Sequence, residues 1–174
     1  MPYPSYGIID LPPEVDEVLR QFRTCEMSTL AKDGTPITWP VLPFWRPEEG
    51  RFLITTSISL PHKAFNIRRN PRVSLLFSEP TASGLLDPPA VLLQGDAEAP
   101  DDVVVSVAGL EVELRRAFRR QPAGAIYSSN PLMRYLFDWY YMRLLIYVVP
   151  QRILWWPRGD FEQKPLEVGA NDVG

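Results

Sequence analysis

Nineteen prolines are spread along the 174 residues rather than gathered in one tract. That spacing constrains the fold more than any other feature. Each proline removes a backbone donor, ends or kinks a helix, and within a sheet is confined to edges, strand starts and bulges. Short strands separated by turns fit such a chain better than a helical bundle. The segments between the prolines read accordingly. TCEMSTLAKDGTPITWPVL is two strands around a turn at Lys32-Asp33-Gly34, because Asp-Gly is among the strongest short-range hairpin signals. RFLITTS follows the loop at residues 47–50 and is rich in β-branched and aromatic residues. RVSLLFS (72–78), VLLQGDAEA, MRLLIYVVP and RILWWP complete the strands. Gly95 inside VLLQGDAEA signals a bulge or a close approach of another group to the backbone.

Helices are few. Asp10 and Pro12-Pro13 open a short one whose Val15, Val18, Leu19 and Phe22 repeat at helical spacing and form a lid. In SISLPHKAFNIRRNP, Pro61 suits a first helical turn, Asn70 a C-terminal cap and Pro71 a stop. From Asp101 the pattern turns helical through VVVSVAGLEVELRRAFRR and again after Asn130-Pro131, a helical insertion over about residues 101–142. No internal repeat divides the chain, so residues 1–174 read as one domain, with a loosely ordered tail after Gly159.

Composition narrows the function. A formal net charge of -3 opposes a nucleic-acid partner, which needs a broad basic face. No apolar run spans a membrane and no secretion signal opens the sequence, so a cytoplasmic protein without membrane partner is expected. Cys25 is the sole cysteine and His62 the sole histidine, which excludes disulfide frameworks, thiolate metal clusters and histidine-rich metal centres. A Ser-His-Asp triad would need His62 itself.

One charge pattern stands out. His62 and Lys63 occupy the first turn of the second helix, where the helix dipole disfavours cations, whereas Arg68 and Arg69 occupy the last turn, where it favours them. An anion among the free N–H groups of that first turn accounts for Lys63, and a phosphate fits. Thr55, Thr56, Ser57 and Ser59 supply hydroxyls from the preceding strand end and loop. A solvated lysine on a surface helix is the competing reading of the same residues.

The stretch FLITTSISLPHKAFNIRRNPRVSLLF, with GTPITWPVL before it, VLLQGDAEA after it and RILWWP near the end, resembles the pyridoxamine 5'-phosphate oxidase-related, FMN-binding split-barrel family. The likeness covers about residues 20–99 and 143–157, with Asn70-Pro71-Arg72 and Val73-Ser74-Leu75 its most specific part. It implies a mainly β fold, a six-stranded split β-barrel with flanking helices, which forms a homodimer with a flavin in each of two clefts shared by both subunits. It implies Lys63 as the phosphate ligand, His62 beside it where the oxidases carry an arginine, and Thr56 and Ser57 against the cofactor tail and ribityl chain. The backbone of Val41 and Leu42 would then meet the flavin ring, and Trp156 would pack near it. Three positions depart from the pattern. Phe44 replaces the lysine for the substrate phosphate, RGDFEQKP replaces the C-terminal arginine-histidine motif, and Trp39 replaces a strand arginine that grips the flavin. These departures argue against pyridoxal phosphate synthesis. A related branch with an Asn-x-Arg-Arg-x-Pro run, as in NIRRNP, implies the 8-hydroxy-5-deazaflavin coenzyme as the alternative to FMN.

Other residues carry two readings each. Gln94 meets the polar edge of a flavin ring or, sharing a strand face with Asp96 and Glu98, faces solvent. Phe137, Trp139, Tyr140 and Tyr141 form an aromatic wall or ordinary core, and the arginines of ELRRAFRRQ meet an anion or water. The expected activity is hydride or electron transfer to a small-molecule substrate, with a non-catalytic flavin carrier as the competing class. No side chain is singled out as acid or base.

Overall fold

The computed structural model describes residues 10–104 and 142–168. Nine antiparallel strands among these residues form one curled sheet: β1 Cys25–Leu30, β2 Pro36–Val41, β3 Phe44–Arg46, β4 Arg51–Ser57, β5 Arg72–Phe77, β6 Ala90–Glu98, β7 Val103–Val104, β8 Arg143–Trp156 and β9 Leu166–Glu167. The order is β2-β1-β5-β6-β8-β4-β3, with β7 and β9 also on β8. Six of the strands are long, and the sheet closes into a half-barrel, the split-barrel architecture that the resemblance implied.

The alternation of the sequence becomes the two faces of this sheet. Cys25, Met27 and Thr29 of β1, Val73, Leu75 and Phe77 of β5, and Val91, Leu93 and Ala97 of β6 point inward. They meet Phe52, Ile54, Ile146 and Val148 in one apolar cluster. The helix α1, Pro13–Gln21, covers one opening with Val15, Val18 and Leu19 buried, and Trp45 Nε1 donates to Asp16 Oδ1 at 3.3 Å. The helix α2, His62–Arg69, covers the other through Ala64, Asn66 and Ile67. Asn66 is polar and buried, and its Nδ2 donates to Thr29 Oγ1 at 3.0 Å, which satisfies it inside the barrel. The hairpin turn forms as expected: Gly34 has φ 86°, and Thr35 N donates to Asp33 Oδ1 at 3.0 Å.

The structure corrects three expectations. MRLLIYVVP and RILWWP are one fourteen-residue strand, β8, not two. Pro150 reads as a break, yet it pairs opposite Gly95 where the register of β6 and β8 shifts, and a proline is tolerated at such an irregularity. Val103 and Val104 form strand β7 against Leu144 and Arg143 instead of starting a helix, in keeping with their β-branching. The tail after Gly159, expected to be loosely ordered, carries strand β9 on β8, with Glu167 paired to Arg152, and FWR, to which no element was assigned, forms the short strand β3 on β4. The remainder of the expected insertion, with its aromatic and arginine-rich segments, lies outside the described residues.

Gly95 meets both of its expected roles. The ladder is irregular beside it, and a Cβ there would stand 2.1 Å from the carbonyl oxygen of Val149. Edge strand β2 shows a second use of residue type. A proline cannot donate to a ladder, so the side of β2 bearing Pro36 and Pro40 is the side turned away from β1.

Gly95→Ala is expected to lower stability by about 3 kcal/mol, the upper end for overpacking, because the obstruction is backbone and cannot rotate away. Urea denaturation monitored by tryptophan fluorescence checks this, and an unchanged midpoint would show that β8 moves aside freely.

Candidate functional site at the β4–α2 junction

The strand β4 delivers its last residues to the start of α2 through a tight connection. Thr56 is buried, and its hydroxyl donates to the carbonyl of Leu60 at 3.1 Å, which ties the strand end to the loop. Ser57 Oγ accepts from Ser59 N at 3.3 Å, and Leu60 N donates to Ser57 O at 3.0 Å. Phe65 N then donates to Pro61 O at 3.0 Å and the helix begins. No side chain caps this N-terminus, so its first donors face outward without the hydroxyl or carboxylate that satisfies most helices.

The cations of α2 are treated differently at its two ends. Arg68 donates to the carbonyls of Ala99 at 2.8 Å and Pro100 at 2.7 Å and pairs with Asp101 at 3.0 Å; Arg69 donates to Asn66 Oδ1. Arg68 thus ties the helix to the residues that follow β6, while Arg69 bonds within the helix. Among the described residues no carboxylate pairs with Lys63. Its ammonium instead lies over the ring of Trp39, 5.1 Å from the centroid, and partial burial lowers its pKa from the ordinary 10.5. His62, the first residue of α2, is exposed beside it. An uncapped helix start, a half-buried cation and no competing carboxylate suit a phosphate chemically.

The sequence-derived site residues divide by sheet face. Thr56 points into the barrel with Phe52 and Ile54, whereas Thr55 and Ser57 point outward. Val41 is buried in the main core, and Leu42 packs with Phe44, Leu53 and Leu145 in a smaller cluster on the outside. Gln94 also lies on the outward face. Its cross-strand neighbours Ser74 and Arg152, with Ser28 beyond, line a groove of ≈ 510 Å³, and Ser28 Oγ lies 2.7 Å from Thr38 Oγ1. Trp39 sits opposite Met27, hence on the inward face of β2, so Gln94 and Lys63 are on different sides of the sheet. Trp156 pairs with Ala90 at the far end of β8, while Ser57 pairs with Arg143 at its start. The strand is roughly 45 Å long at about 3.3 Å per residue. Ser57 and Trp156 therefore lie toward opposite ends of β8. Trp156 packs on Phe161, ring centroids 5.2 Å apart.

Two residues near the junction escaped sequence reasoning as site candidates. Trp39 registered only as a departure from a pattern, yet it is the neighbour of Lys63. Arg143 opposes Ser57 across β4 and β8, and only the pairing reveals it. Cys25 is buried, which pushes its thiol well above the ordinary range and removes it as a nucleophile. No group of three or more metal-ligating side chains occurs among the described residues, and no helix among them is long and apolar enough to cross a membrane.

Comparison with known proteins agrees with this architecture. The family model of pyridoxamine 5'-phosphate oxidase matches residues 11–116, more than half of the chain, and the chain belongs to that family. A Clostridium acetobutylicum protein related to general stress protein 26 of Bacillus subtilis superposes with a TM-score of 0.56 at 12% identity, over 88% of this chain and 90% of its own. A heme binding protein from Mycobacterium smegmatis gives 0.53 at 19% identity, over 91% of this chain and 60% of its own. An F420 reductase gives 0.50 at 19%, over 82% of this chain and 98% of its own. No curated protein matches the chain.

Lys63→Met is expected to leave the fold as stable as before, or more so, at neutral pH. Burial disfavours the charged form, so the lysine's cost is fully present below its depressed folded pKa. That cost fades as pH rises from there to the unfolded value of 10.5, and above it the two proteins converge. Thermal melts of both proteins between pH 7 and the alkaline limit test the sign; a large neutral-pH loss in the variant would contradict it.

Proposed function

We propose that this protein is a flavin-dependent oxidoreductase in which Lys63 and the opening turn of α2 hold the phosphate of FMN. The observation that carries this reading is the half-buried Lys63 ammonium, which lacks a carboxylate partner among the described residues and stands at an uncapped helix N-terminus. Bound FMN would supply hydride and electron transfer to and from a small substrate. The chain's own residues bind and orient. Lys63 and the first-turn N–H groups fix the phosphate, Thr56 and Ser57 fix the loop that presents them, and the outward backbone beside Leu42 offers a wall for the ring.

The placement of Ser57 and Trp156 at opposite ends of β8 supports a homodimer, with Trp156 reaching the cofactor from a second copy of the chain. Phe44 is buried against Leu53, so that position offers no cation for a substrate phosphate, which supports a reaction other than pyridoxamine phosphate oxidation. His62, the sole histidine and exposed at the start of α2, sits in the proposed phosphate site, which argues against haem as the resident group.

A deazaflavin coenzyme is the second reading, favoured by the likeness to an F420 reductase and by the absence of an arginine at Trp39. The mass and visible spectrum of the small molecule released from purified protein separate the two. A carrier without catalysis is separated by kinetics: bound cofactor that no nicotinamide or deazaflavin donor reduces and no acceptor reoxidises contradicts the enzyme reading. Lys63→Ala is expected to weaken FMN binding about 10- to 100-fold, the range for a lost charged hydrogen bond. Undiminished FMN affinity in a titration would refute the phosphate assignment.

A further inference from the structure

The contact between Lys63 and Trp39 bears on how a phosphate site keeps its charge. A half-buried ammonium needs electrostatic compensation, and most proteins provide it with a carboxylate. A carboxylate would also cancel the positive charge and compete with an anionic ligand. The face of an indole attracts the ammonium through the ring quadrupole and leaves its formal charge intact. Trp39 is well placed for this task. It lies on the inward face of β2, opposite Met27, with the Lys63 ammonium 5.1 Å from its ring centroid. Leu60, Phe65 and Ile37 around the junction are exposed apolar residues and offer no competing charge. Arg68 also lies over an aromatic ring, that of Phe65 at 5.6 Å, but it is held in addition by two carbonyls and paired with Asp101.

We infer that Trp39 is the positioning residue of the phosphate site, holding Lys63 by a cation–π contact that orients the ammonium without neutralising it. The inference rests on the phosphate reading of Lys63 given above. Trp39 acts on the ligand only through Lys63, so its effect is confined to ligands that carry a phosphate. It also depends on an aromatic face rather than on bulk, so phenylalanine retains the function in weakened form while leucine does not.

The test is a set of titrations with FMN and with riboflavin, which shares the ring and ribityl chain but lacks the phosphate, on the full-length protein and three variants. The wild type is expected to prefer FMN, and Lys63→Ala to erase that preference. Trp39→Leu is expected to weaken FMN binding about five- to tenfold with riboflavin binding unchanged, and Trp39→Phe to recover most of the loss. A wild type that binds neither ligand, or both equally, overturns the phosphate reading and the inference with it. If Lys63→Ala erases the preference but Trp39→Leu preserves it, the reading stands and the inference fails. Equal losses for FMN and riboflavin in Trp39→Leu, or a Trp39→Phe variant as weak as Trp39→Leu, also overturn it.

Discussion

The close approach of Gly95 to the Val149 carbonyl is the contact on which the sheet depends. It lets β8 run beside β6 through a shift of register and continue for fourteen residues, long enough to pair with β6, β4, β7 and β9. A straight strand of that length would leave the sheet open and flat; an interrupted ladder bends it and increases its twist. The two halves of the barrel thus share one backbone. The apolar cluster inside, from Phe22 and Phe77 to Ile146 and Ile153, is continuous because β8 contributes to it on both sides of Pro150.

The same curvature brings the end of β4 to the start of α2 beside edge strand β2. Thr56 spends its hydroxyl on the Leu60 carbonyl, and Asn66 spends its amide on Thr29, so the polar groups nearest the barrel opening are already satisfied. What remains at this opening is Lys63 against Trp39, with the uncapped first turn of the helix. This division between groups that hold the junction and groups without a hydrogen-bonded partner there is what distinguishes it from an ordinary strand–helix connection.

Much of this was legible in the sequence. Turn chemistry at Asp33-Gly34, the two-residue period of CEMSTL and RVSLLF, and the bounds of α2 all follow from local rules, and the structure obeys them. The continuity of β8 was not legible, because Pro150 signals a break unless the irregularity opposite it is known. Strand β3 has three residues and β7 two, too short for any period to register. Resemblance identified positions at the site but not sides of the sheet. Thr56 and Ser57 follow one another in a strand and necessarily face opposite ways, as do Val41 and Leu42, so the side chains of each pair cannot both face the proposed ligand. The placement of Ser57 and Trp156 at opposite ends of β8 depends on strand pairing across β4, β8 and β6, which no single segment encodes.

Pro36 and Pro40 on the open side of β2 have a consequence for assembly. Growth of a sheet by addition of strands requires a template of free donors at regular spacing, and here two of three are missing. Addition of a further strand at this edge is therefore disfavoured, and β2 ends the sheet there rather than seeding its extension.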